Sequence, residues 1–125
     1  MGYRSDVSVV FYTRHPSTLP RAAIKLWFDE NYPHKEATEE WDAEVQTGDD
    51  YVLVTYQGVK WYEGYKHPTA VRACLDAFEK CFDTADKDEA AWEMVQVGEE
   101  LNDVVEERSN YCDYRLGVRR EIEFC

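Results

Sequence analysis

The stretch Arg4-Ser5-Asp6-Val7-Ser8-Val9-Val10-Phe11-Tyr12-Thr13 decides how the rest of the chain is read. Val7, Val9 and Phe11 share one parity, and Val10 and Tyr12 share the other. A strand with apolar side chains on both faces has both faces covered, so this segment belongs in the middle of a sheet. A loop with His15-Pro16 and Leu19-Pro20 follows, and Pro20 suits a first helical position. Ala22, Ala23, Ile24, Leu26, Trp27 and Phe28 predict a helix to about Asn31, ended by Tyr32-Pro33. Trp41, Ala43 and Val45 alternate with Asp42, Glu44 and Gln46, as in a strand with one buried face. Thr47-Gly48-Asp49-Asp50 has turn chemistry. Tyr51 to Tyr56 reads as the partner strand, continuing past a bulge at Gly58 towards Trp61 and Tyr62.

His67-Pro68 opens a second helix. Val71, Cys74, Leu75, Phe78, Cys81 and Phe82 recur at three- and four-residue spacing and mark its apolar stripe. Trp92 to Val97 reads as a strand closed by Gly98. In the last segment Tyr114, Leu116, Val118, Ile122 and Phe124 share one parity, which predicts a final strand; Arg120 is the polar exception on that side. The order β-α-β-β-α-β-β implies an α+β domain with a ferredoxin-like β-α-β-β-α-β core: an antiparallel sheet, both helices on one face, and an added C-terminal strand. No linker, repeat or low-complexity block divides residues 1–125, so a single domain is expected.

The bulk properties narrow the function classes. At 125 residues with 44% apolar side chains, the chain can bury a core without disulfide or metal staples. It has no apolar run long enough for a membrane span, and the start Met1-Gly2-Tyr3-Arg4-Ser5-Asp6 lacks a signal-type apolar region, so the expected address is the cytoplasm. Cys74, Cys81, Cys112 and Cys125 form no Cys-x-x-Cys pair, and Cys74 and Cys81 lie too far apart along a helix for a disulfide. Free thiols in a reducing compartment are the expectation.

Charge is the unusual property. The net value is −12, and residues 76–107 carry twelve acids against two bases. Such a surface repels nucleic acid, whose binding relies on Lys and Arg neutralising phosphates, and it attracts basic proteins. Arg115, Arg119 and Arg120 make at most a local basic spot.

No phosphate-cradling glycine loop, His-Glu-x-x-His pair or Gly-x-Ser-x-Gly elbow is present. His15, His34 and His67 all adjoin proline, where loop or helix-start roles explain them. A spatial Cys–His pair, such as Cys112 with His15, has nothing to recommend it. Asp83-Thr84-Ala85-Asp86-Lys87-Asp88-Glu89 fails the EF-hand spacing in either register and reads as an exposed acidic loop. No catalytic residue, cofactor or metal is therefore assigned. In the segment 98–108, Leu101, Val104, Val105 and Arg108 fit one face of a short helix, with Glu99, Glu100, Asp103, Glu106 and Glu107 pointing elsewhere. Those five acids form a solvated connection or a patch that docks a basic partner. Four Trp, nine Tyr and five Phe are a heavy aromatic load, and Tyr56, Trp61 and Tyr62 are either core or interface anchors.

The opening Met1-Gly2-Tyr3-Arg4-Ser5-Asp6-Val7 and the later Val95-Gln96-Val97-Gly98-Glu99-Glu100, with the acids that follow, resemble paired signatures of small tailed-phage proteins of unknown function. Gln96 and Glu100 stand where those proteins usually have Arg and Asp. The resemblance implies a phage origin and carries over no catalytic residue. With the charge, it leads to the expectation of a non-enzymatic accessory protein. Such a protein would inhibit a basic, nucleic-acid-binding or defence complex of the host, as anti-CRISPR proteins do. A small homo-oligomeric (dimeric) accessory protein is the alternative, and an enzyme with an unrecognised site is the third.

Overall fold

A computed structural model describes residues 5–13, 23–32, 43–59, 61, 66–84, 87–88, 90–98, 104–109, 115–118 and 122–124. The elements are β1 (Ser5–Thr13), α1 (Ala23–Asn31), β2 (Ala43–Thr47), β3 (Tyr51–Val59), α2 (Lys66–Phe82), β4 (Asp83–Thr84), β5 (Lys87–Asp88), β6 (Ala90–Val97), β7 (Val104–Arg108), β8 (Leu116–Val118) and β9 (Ile122–Phe124). Five strands make one sheet in the order β2-β3-β1-β6-β7, with every neighbouring pair antiparallel. The molecule is thus α+β, and β1 lies at the centre, as its two apolar faces require.

The two parities of β1 feed two separate cores. Val7, Val9 and Phe11 pack with Ile24 and Phe28 of α1 and with Val71, Leu75 and Phe78 of α2, which puts both helices on the same face. Phe11 sits at its hub, 4.9 Å from the Phe78 ring and 5.9 Å from Phe28. Val10 and Tyr12 point the other way, towards Leu53, Ala91 and Val95, and this second face is covered by Leu116, Ile122 and Phe124.

Local chemistry fixes the turns. Gly48 donates its N–H to the Tyr51 carbonyl at 3.0 Å, and a Cβ at Gly48 would lie 2.2 Å from the Tyr51 ring, so a larger residue there would have to displace that ring. Gln57 and Gly58 together oppose Asp6, because Ser5 pairs with Val59 but Val7 with Tyr56. Gly58 takes φ +59° and donates to Asp6 Oδ1 at 2.9 Å, the geometry of a glycine bulge.

Four expectations are corrected. The segment 114–124 is not a further strand of the main sheet. It contains a separate β8–β9 hairpin, laid over the second face. The strand that does extend the sheet is β7, in the stretch read as a short helix; the inward pull on Arg108 described below holds it extended. Finally, Cys74 is buried in the core but Cys81 is exposed, one position off the apolar stripe of α2. Val45 is likewise 43% exposed, on β2 at the edge of the sheet.

Candidate docking surface

Two buried polar constellations could in principle do chemistry, and both are committed to holding the fold. On the helix side, the hydroxyls of Tyr32 and Tyr56 lie 2.5 Å apart in a hydrogen bond. Burial, then the neighbouring Tyr56, holds the Tyr32 phenol well above its ordinary range. Burial pushes Tyr56 up to about 12, with the hydrogen bond to Tyr32 acting in the opposite direction. The Cys74 thiol is pushed up to about 12 by burial. These groups stay protonated near neutral pH, and a protonated buried thiol is a poor nucleophile.

On the hairpin side, Glu93 is wholly buried on β6 opposite Arg108 of β7. Its Oε1 accepts from Arg108 Nε at 3.0 Å and from the Leu116 N–H at 2.9 Å, and its Oε2 accepts from the Arg115 N–H at 2.7 Å. Arg108 Nη2 donates to the Leu116 carbonyl at 2.5 Å and to Glu106 Oε1 at 3.3 Å. One carboxylate and one guanidinium thus clasp the start of the hairpin onto the sheet, giving each other the partner that buried charge demands. Arg115 then lies with its guanidinium 5.2 Å from the Tyr12 ring centre and 5.1 Å from that of Phe124. It closes the hairpin over the face instead of forming a basic spot in solvent. Glu93, counted from the sequence among the surface acids, contributes nothing to the surface. Its signal was an acid inside the apolar run Ala90–Val97.

The sequence-predicted docking residues fare unevenly. Glu106 is exposed and Glu107 half-buried, both on edge strand β7, but they point to opposite faces: Glu106 stands beside Val95 and Glu107 beside Met94. Glu99, Glu100, Asp103 and Tyr62 lie outside the described residues, as do His15, Cys112 and Arg120. Tyr56 is fully buried and Trp61 nearly so, their rings 5.4 Å apart, so both belong to the core, the first of the two readings, and neither is an exposed anchor. Tyr56 sits on the helix-facing parity of β3, where α1 and α2 cover it.

Trp61 instead forms one end of a groove that sequence reasoning missed. This groove, about 520 Å³, runs between the first turns of α2 and the edge of the sheet. Its floor is two cross-strand pairs, Gln96 with Val105 and Met94 with Glu107. Its wall is Pro68, Thr69 and Arg72 of α2. Arg72 forms an ion pair with Glu107 and lies 5.9 Å from the Trp92 ring centre. Val105 is 43% exposed there, and no described strand pairs with the outer edge of β7. A second, smaller slot of about 120 Å³ lies between Leu53 and the hairpin residues Leu116, Ile122 and Phe124. Among the described residues, no group of three His, Cys, Asp or Glu side chains could hold a metal ion, and no helix is long and apolar enough to cross a membrane. Comparison with protein-family models, with curated proteins and with solved structures returned no match to this chain.

Proposed function

We propose that this protein is a non-enzymatic, phage-type accessory protein that binds and inhibits a basic host protein, in the manner of an anti-CRISPR acting on a nucleic-acid-binding or defence complex. The observation that carries the proposal is the net charge of −12 with its excess in residues 76–107. Of these acids, Asp76 and Glu106 are exposed and Glu107 is half-buried beside a groove. Glu106 and Glu107 each pair with one arginine at their inner side, whereas Glu93 is wholly buried and internally neutralised. Exposed like charges repel one another and do not help folding, so their concentration is better explained by partner choice. Complementary fields also accelerate encounter with a basic surface. The phage origin rests on the resemblance of the opening and of the segment after Val95. We further read β1-α1-β2-β3-α2-β6 as a ferredoxin-like frame with β7 added at its edge; the antiparallel order β2-β3-β1-β6 supports this.

Capture of defined basic host proteins, measured from about 50 mM to about 500 mM salt, tests the binding. The expected result is salt-weakened capture, lost on charge reversal of Glu106 and Glu107 together with Glu99, Glu100 and Asp103. Capture indifferent to both salt and reversal overturns the proposal. The edge position of β2 with exposed Val45 favours a second reading, a homodimer paired through β2. The sign of the salt effect separates the two: two −12 chains associate more tightly as salt screens their repulsion, whereas a basic partner is released.

A further inference from the structure

We infer that the groove beside β7 docks an extended segment of the basic partner as an added strand. The segment runs antiparallel to β7 and carries two adjacent basic residues followed by an apolar one. This deepens the proposed function and rests on it.

An edge strand offers unpaired N–H and C=O groups, and natural edges are blunted when they are not used. On β7 one edge is taken by β6 and no described strand pairs with the other; the strand carries Val104 and Val105, both exposed, with Glu106 and Glu107. The inward Arg108 is buried between Glu93 and Glu106, and the Glu106 side chain keeps 44% exposure towards an incoming chain. Addition of a strand gives main-chain affinity, and pockets for alternate side chains give selectivity. Here the groove supplies the pocket. A residue opposite Val105 completes the row begun by Gln96 and Val105, and a residue opposite Glu107 completes the row of Met94 and Glu107. Cross-strand neighbours in such rows lie about 5 Å apart, within reach of long side chains.

Charge selects the occupant. In antiparallel register the incoming chain meets Glu107, then Glu106, then Val105. Each acid has one arginine partner within the chain, Arg72 or Arg108, but keeps over a third of its side chain exposed, so base-base-apolar is the complementary order. A second copy of β7 fits poorly, because pairing centred on Glu106 sets that acid against itself, and like charges directly opposite destabilise a sheet. The outside residue Arg72 narrows the choice further. Its pair with Glu107 walls the groove with one cation and leaves the net −12 of the molecule to favour a basic guest.

The probe is a fluorescein-labelled synthetic peptide of alternating Thr and Val with Lys-Arg-Val at its centre. Two further forms are N-methylated on alternate amides, each form blocking one of the two edges of the extended peptide. The expected result is binding of the parent peptide and a loss of about tenfold or more with one methylated form but not the other. Val105→Lys, at an exposed position, should weaken binding by a similar factor, and Val45→Lys on the far edge should leave it unchanged. Equal binding of both methylated forms, or sensitivity at Val45 instead of Val105, overturns strand addition. If that binding still weakens with salt, the basic-partner reading stands without it. Equally tight binding of a Thr-Val peptide lacking Lys and Arg supports the edge but sinks the basic partner. No binding of any peptide overturns strand addition, and capture of the intact basic protein then decides the broader reading.

Discussion

At Glu93 three donors converge on one carboxylate: a guanidinium from β7 and two backbone N–H groups from the start of the hairpin. Substituting Glu93 with Leu removes the buried partner of the Arg108 charge and leaves it Glu106 and the Leu116 carbonyl, a loss of up to about 3–5 kcal/mol. The urea midpoint should fall accordingly. The double variant Glu93→Leu with Arg108→Met should regain only part of the loss. It removes the stranded charge but leaves the Arg115 and Leu116 N–H groups without this acceptor, at about 1–3 kcal/mol each. Full recovery would show that the carboxylate acts on Arg108 alone. The buried phenols and thiol make a separate demand, on pH. Cys74, Tyr32 and Tyr56 are all raised above their ordinary values of 9.0 and 10.0. The stability that Cys74 and Tyr56 contribute is therefore complete below about pH 9 and is lost as pH climbs through about 12, and Tyr32 acts in the same direction. Urea midpoints recorded across that window should decline, and the part of the tyrosinate absorbance that is lost in Tyr32→Phe and Tyr56→Phe should rise together with unfolding instead of before it. Mass-spectrometric mapping of alkylation near neutral pH should find Cys81 modified and Cys74 protected.

Among the elements, the bulge in β3 depends on one backbone angle. Gly58 stands at φ +59° with open space where a Cβ would go, so Gly58→Ala tests conformational strain without steric clash. It should cost about 1–2 kcal/mol. Gly117→Ala, also in open space but at no positive φ, should be near neutral in the same denaturation assay. The sequence exposed β1, α1, the β2–β3 hairpin, α2 and β6 because each carries a clean period of two or of three and four. It hid β7, since Leu101, Val104, Val105 and Arg108 have helical spacing and only the distant Glu93 makes Arg108 an inward strand residue. The β8–β9 hairpin was hidden for a different reason. Register pairs Leu116 with Phe124 and position 118 with Ile122, so both arms keep the same parity. A hairpin joined across an even interval then has the same alternation as one long strand.

For the molecule as a whole, composition announced the charge but not its distribution in space. A count along the chain places Glu93 with Glu106 and Glu107. Folding sends one into the interior and turns the other two to opposite sides of a single edge strand. The candidate groove was illegible for the same reason: Trp61, Arg72, Gln96 and Val105 come from four separate stretches of chain. Only the crossing of α2 over the β6–β7 edge brings them together.

The position of the hairpin has a consequence for how the protein is made. The side of β1 that carries Val10 and Tyr12 is synthesised well before the residues that cover it. Its cover, Leu116 and Phe124, follows about a hundred residues later. Until then the nascent chain can settle α1 and α2 onto one side of the sheet but must leave the other bare. Closing so distant a contact is slow compared with forming local structure. During that interval the half-finished sheet is a substrate for chaperones or for aggregation, and the Glu93 clasp is what ends the exposure.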